Sequence, residues 1–133
     1  MAAAPEIVKL PQRRSPARAA LVAMRPRQWP KNLLVFAGLV FAAKLGDASR
    51  WAEAIAAFAA YCAISSSAYL VNDVRDRDDD RQHPVKRARP IARGELSVRA
   101  ALVLAAVLAA LALGLTGALG LASVAFLLAF AAL

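Results

Sequence analysis

The stretch YLVNDVRDRDDDRQHPVKRARPIARG, Tyr69–Gly94, packs five aspartates and seven basic residues into one segment of an otherwise apolar chain. If Ser65–Asp80 forms one helix, a rotation of 100° per residue puts Asp76, Asp80 and Asp73 about 40°, 80° and 100° round from Asn72. Four oxygen-bearing side chains then share an arc of about 100° over a rise of about 12 Å, with Asp78 and Asp79 outside it. Carboxylates this close repel one another unless a cation lies between them. Hard oxygen donors with room for water suit Mg²⁺, which is commonly held by one or two carboxylates together with phosphate oxygens. Lys86, Arg87 and Arg89 follow, with the charge to neutralise the phosphate oxygens that a metal leaves free. Such a site suits a diphosphate held in a polar mouth while an isoprenoid tail lies among apolar helices. The same residues also fit a plainer alternative, a solvated loop beside a membrane with intrahelical ion pairs such as Asp73–Arg77 and Asp78 flanked by Arg77 and Arg81.

Further residues stand near this block. Lys31 is a candidate phosphate contact, and equally a lysine snorkelling from a helix end. Tyr69 falls near the carboxylate arc; its hydroxyl is within the chemistry of a phosphate contact, although packing is the commoner role. His83 stands alone before Pro84 and reads as a loop residue, since no Cys or His accompanies it. Cys62 is the single cysteine and reads as a small packing residue.

The elements that position these residues read as membrane helices. Of the 133 residues, 60% are hydrophobic, and they come in long blocks rather than amphipathic patterns. Residues 1–24 read as a disordered basic tail on the cytoplasmic side, becoming helical from Pro16 onward. No short apolar run with a cleavage site follows the N-terminus, so no signal peptide is expected. Trp29 among basic residues reads as an interfacial anchor. A first span is expected over Pro30–Leu45 and a turn over Gly46–Arg50, with Asp47 or Ser49 as helix cap. A second span is expected over Trp51–Asn72, where Ser65, Ser66 and Ser67 suit close helix contacts. The 34 uncharged residues Ala100–Leu133 are too long for one span, so a turn is expected near Gly114, Gly117 and Gly120. That gives a third span over Val98–Leu115 and a fourth from Leu119, still running at Leu133. The chain is therefore expected to be the first part of a longer protein.

The charge pattern fixes the expected topology. Of the 17 Lys and Arg, seven lie in Met1–Lys31 and eight in Val74–Arg99, with only Lys44 and Arg50 elsewhere. Two spans separate the two basic blocks, so both face one side, and the positive-inside rule makes it the cytoplasmic side of the plasma (inner) membrane. Basic charge mixed with acid at a membrane face, with no binding motif, argues against a nucleic-acid partner.

Three of these stretches resemble the UbiA superfamily of intramembrane prenyltransferases. NDVRDRDDD fits that family's NDxxDxxxD pattern, RPRQWPKNLLVFAGLVFA is similar to the entry into its first helix, and RPIARG looks like its RPLxxG element. The resemblance covers Met24–Gly94 and assigns residues 25–133 to the N-terminal part of a UbiA-type domain. It implies an all-α, polytopic transmembrane helix bundle, with about four spans here of about nine in the family. It implies Mg²⁺ held by Asn72, Asp76 and Asp80, with Asp73, Asp76 and Asp80 as the catalytic carboxylates. It also implies a second Asp-rich motif on later helices. Val85 stands where many aromatic prenyltransferases of the family carry an arginine. DRQHPVKRARPIA is more like the branch that transfers phosphoribose from phosphoribosyl pyrophosphate to decaprenyl phosphate for arabinan precursors of the cell wall. The resemblance thus implies a polyprenyl phosphate acceptor and a phosphoribosyl pyrophosphate donor. Lys31, Lys86, Arg87, Arg89 and Tyr69 would be the phosphate contacts. Prenyl transfer to an aromatic acceptor is the alternative within the family, and a non-catalytic membrane module is the alternative outside it.

Overall fold

A computed structural model of the chain describes residues 12–37 and 43–132. Five α-helices and two 3-10 segments, of 11 and 3 residues, occur among the described residues, and no strand does. The chain is all-helical, as its sequence implied.

Three of the helices start where a side chain supplies a cap. Helix α1, Pro16–Ala23, opens on Ser15, whose side chain accepts from the Arg18 amide, with Pro16 in the first turn. Helix α2, Ala48–Arg75, opens on Asp47, whose carboxylate accepts from the Ser49 amide at 3.0 Å. Helix α3, Arg77–Gln82, follows after Asp76. Helix α4, Val98–Leu119, opens on Ser97 and stops at Gly120, whose φ of 113° is open to glycine. Helix α5, Leu121–Ala132, follows directly. The turn expected among three glycines is thus made by the last of them.

Helices α2 and α4 form the principal packed pair. Ala101, Ala105, Leu108 and Ala112 recur at helical spacing on the buried face of α4, and Ala60, Ala63 and Leu70 answer them from α2. Small residues let the two backbones approach closely, and the Ser67 hydroxyl donates to the Ala105 carbonyl at 2.8 Å across the seam. Both helices are long and apolar enough to cross a membrane, the α4 window having a mean hydropathy of 2.5. Helix α5, with 12 residues, is about 18 Å long and shorter than a hydrocarbon core.

Two expectations need correction. The described part of the expected first span is mostly 3-10 rather than α: Pro26–Phe36 is a 3-10 helix with Pro30 inside it, and Ala37 after it is α-helical. Pro30 has no amide hydrogen to give to an i−4 carbonyl, which disfavours the α ladder there. Residues 38–42 of that span lie outside the described residues. Residues 12–24, expected within a disordered tail that turns helical from Pro16, pack onto the bundle: the expected helix is present as Pro16–Ala23, and Ala19 and Ala23 are buried in the same core. Arg14 is paired with Glu95 at 2.9 Å, and the Ser66 hydroxyl donates to the Met24 carbonyl at 2.7 Å. The Trp29 indole donates to Ser66 at 3.0 Å, which holds this ring against α2.

Candidate functional site

Asn72, Asp76 and Asp80 sit at successive turns across the junction of α2 and α3. The helix breaks at Asp76 (φ −90°, ψ 4°), so the single helix expected across Ser65–Asp80 is two. The register nonetheless carries through. The Asp76 amide donates to the Asn72 carbonyl at 2.9 Å, and the Asp80 amide to the Asp76 carbonyl at 2.7 Å. Both are helical i to i−4 bonds, which keep the three side chains on neighbouring turns.

The four side chains expected on one arc divide into two pairs. Asn72 and Asp76 are exposed, and neither side chain has a partner among the described residues. Asp73 and Asp80 are buried, at 2% and 3% exposure, and face guanidinium groups. Arg89 Nη1 lies 3.3 Å from Asp73 Oδ1 and 3.0 Å from Asp80 Oδ2. Arg25 Nη2 donates to the same Asp73 Oδ1 at 2.7 Å, and the Arg25 guanidinium stacks 4.4 Å from the Tyr69 ring centroid. Buried carboxylates need such partners, and two guanidiniums against two carboxylates leave these four groups neutral. Asp73 therefore pairs with Arg25 and Arg89 rather than with Arg77, while the exposed Asp78 takes Arg77 at 3.4 Å and Arg81 at 3.8 Å.

The remaining candidates distribute over distinct surfaces. A cavity of about 330 Å³ is lined by Arg25, Asp73, Lys86 and Arg89 together with apolar side chains. Lys86 is exposed beside it, and Arg87 is half-buried with its Nε lacking a partner. His83 is a loop residue: its Nδ1 accepts from the amides of Val85 and Lys86, both at 3.1 Å, and so fixes the start of the basic run. A second cavity, about 360 Å³, is lined by Ser65, Tyr69, Asn72 and Phe130. Lys31 lies on a third, apolar cavity of about 460 Å³ with Tyr61, Phe126 and Phe130. Phe130 borders both, so Lys31 and Asn72 face neighbouring spaces, whereas Lys31 does not line the cavity of Lys86 and Arg89.

Behind the site, Glu95 is buried between Arg14 at 2.9 Å and Arg93 at 3.0 Å. Burial opposes its ionisation. The hydrogen bonds and charge of Arg14, with the charge of Arg93, outweigh that and hold the Glu95 carboxyl below the usual carboxylate range.

The donor set suits a hard cation. Asn72 and Asp76 offer unpaired oxygens, and Asp80 lies one turn on. No three acidic, His or Cys side chains converge among the described residues. A metal here would take few protein ligands and keep open positions for water or phosphate, the usual situation for Mg²⁺. Sequence reasoning did not single out Arg25, which reaches Asp73 from 48 positions away.

The description of the UbiA prenyltransferase family matches residues 33–133. Decaprenyl-phosphate phosphoribosyltransferase of Mycolicibacterium smegmatis is 47% identical over 68 residues, which cover 48% of this chain and 21% of that protein. The enzyme of the same name from Mycobacterium tuberculosis is 44% identical over 68 residues, covering 48% of this chain and 22% of that protein. The nodulation protein NoeC of Azorhizobium caulinodans is 38% identical over 64 residues, covering 48% and 20%. The chain thus matches about a fifth of the length of these relatives.

Proposed function

Because the chain belongs to the UbiA prenyltransferase family, we propose that it supplies the diphosphate-binding face of an intramembrane transferase. The proposed reaction moves 5-phosphoribose from phosphoribosyl pyrophosphate to a polyprenyl phosphate, for cell-wall arabinan precursors. The observation that carries this reading is the pair of exposed oxygen donors, Asn72 and Asp76, unpaired among the described residues, with Asp80 one turn beyond Asp76 and ion-paired to the guanidinium of Arg89. The name of the relatives, decaprenyl-phosphate phosphoribosyltransferase, supports the choice of acceptor and of the group transferred.

Asn72, Asp76 and Asp80 would hold Mg²⁺, whose chemistry is to neutralise charge on the diphosphate leaving group. Lys86, Arg87 and Arg89 contribute guanidinium and ammonium charge to the same oxygens. A lipid phosphate is already anionic, so the site needs no dedicated general base. The site's main work is positioning and electrostatic stabilisation. The end of α2 and the loop Asp76–Ser97 are proposed to face the cytoplasm, where a soluble diphosphate is met.

Membranes holding the whole natural protein test this. Mg²⁺-dependent transfer of labelled ribose phosphate to polyprenyl phosphate is expected. Transfer of a prenyl group from prenyl diphosphate to an aromatic acceptor would replace this reaction with the other one in the family. No transfer with either donor, together with lipid or partner binding that survives Asp76→Asn, would indicate a non-catalytic module.

A further inference from the structure

Arg89 occupies the place where two neighbouring carboxylates call for a cation. One nitrogen, Nη1, serves both Asp73 and Asp80. The two carboxylates are not equivalent. Asp73 is also held by Arg25 at 2.7 Å, and Arg25 is fixed in turn by its stack on Tyr69 and by a left-handed turn (φ 54°). Asp80 has Arg89 as its ion-pair partner among the described residues. Asp80 also follows Asp76 by one helical turn, its amide donating to the Asp76 carbonyl at 2.7 Å, and is the third oxygen donor of the proposed set. One carboxylate is therefore claimed by two cations.

We propose that Arg89 and a divalent cation compete for Asp80, and that Asp73, fixed by Arg25, tethers the displaced Arg89 so that its guanidinium is presented to an incoming diphosphate. This rests on the reading of the site given above. A dication beside Asp80 repels a guanidinium on the same oxygens, whereas Asp73 Oδ1, 3.3 Å from the same Nη1, keeps a negative charge beside the guanidinium. Asp73 is then a positioning residue that acts through Arg89. The coupling is reciprocal: whatever Arg89 gains from Asp80 must weaken the cation, and the diphosphate relieves that competition by giving Arg89 a new partner.

The test is Mn²⁺ binding to the purified whole protein, followed by loss of the free-ion resonance signal, and then binding of inorganic pyrophosphate at saturating Mn²⁺. Arg89→Gln is expected to tighten Mn²⁺ about fivefold or more and to weaken pyrophosphate about tenfold or more. A substitution that merely disturbed the fold would weaken both. Asp73→Asn is expected to retain Mn²⁺ binding and to weaken pyrophosphate, and Asp80→Asn to lose Mn²⁺. Mn²⁺ affinity in Arg89→Gln that is unchanged or weaker overturns the competition and leaves the metal site standing. Loss of Mn²⁺ in Asp73→Asn as in Asp80→Asn overturns the tether and makes Asp73 a ligand. Unchanged pyrophosphate affinity in Arg89→Gln overturns the presentation step. Absence of Mn²⁺ binding in the unaltered protein overturns the metal reading of the site, and this inference with it.

Discussion

Asp76 and Arg25 mark opposite ends of what a single residue contributes. The Asp76 side chain is exposed and unpaired, so its carboxylate is expected to matter for turnover and not for folding. Asp76→Asn in the whole protein should lower the transfer rate about 100-fold or more, while thermal unfolding in detergent moves by no more than about 0.5 kcal/mol. Retained turnover would remove Asp76 from the donor set. Arg25→Gln should do the reverse first. It strips a charge-assisted bond from a buried carboxylate and should cost about 1.5–3 kcal/mol of stability, read as a lower unfolding temperature. The carboxylates of the site were legible because their spacing of four residues repeats a helical turn. Arg25 was not legible: nothing local marks a basic residue in a basic tail as the partner of an aspartate 48 positions later.

At the scale of elements, the helix ends followed from short-range chemistry. Ser97 caps α4 through its hydroxyl, 3.1 Å from the Ala100 amide. Ser97→Ala should destabilise the protein by about 1 kcal/mol, measured by unfolding, and an unchanged midpoint would mean the cap is replaced by water. The α2–α4 seam depends on small side chains. Ala105→Leu should cost about 1–3 kcal/mol by overpacking a position that is 3% exposed. A neutral result would show that the seam opens without penalty. Proline chemistry beat hydropathy in the first expected span: Pro30 is apolar enough to count toward a membrane helix, yet its missing amide favours the 3-10 geometry of Pro26–Phe36.

For the whole molecule, the buried Arg14–Glu95–Arg93 group ties the N-terminal segment to the loop that follows the basic run. The Glu95 carboxyl is held below its ordinary value, 4.5, so its stabilising contribution is complete above that value. It is lost as pH falls through the depressed value in the fold. Unfolding midpoints should therefore drop on acidification below about pH 4.5, and Glu95→Gln should flatten that part of the profile. An unflattened profile would place the acid sensitivity elsewhere. Orientation is checked by cysteine labelling: Ser15→Cys and His83→Cys should both react with an impermeant thiol reagent from the cytoplasmic side, while the buried Cys62 stays silent. Labelling from opposite sides would break the proposed topology.

The sequence by itself determined the helical class, the capped start at Asp47, the glycine turn before the last helix, and the turn-by-turn spacing of Asn72, Asp76 and Asp80. These are local properties, set by hydropathy, capping side chains and the pitch of one helix. Only the tertiary structure decided which of the carboxylates stay open and which are neutralised. Asp73 and Asp80 turn toward Arg89, and Arg25 closes on Asp73, because a buried carboxylate seeks whatever guanidinium the fold brings within reach. That choice depends on where the N-terminal segment and the basic loop pack against α2, which no spacing within α2 encodes.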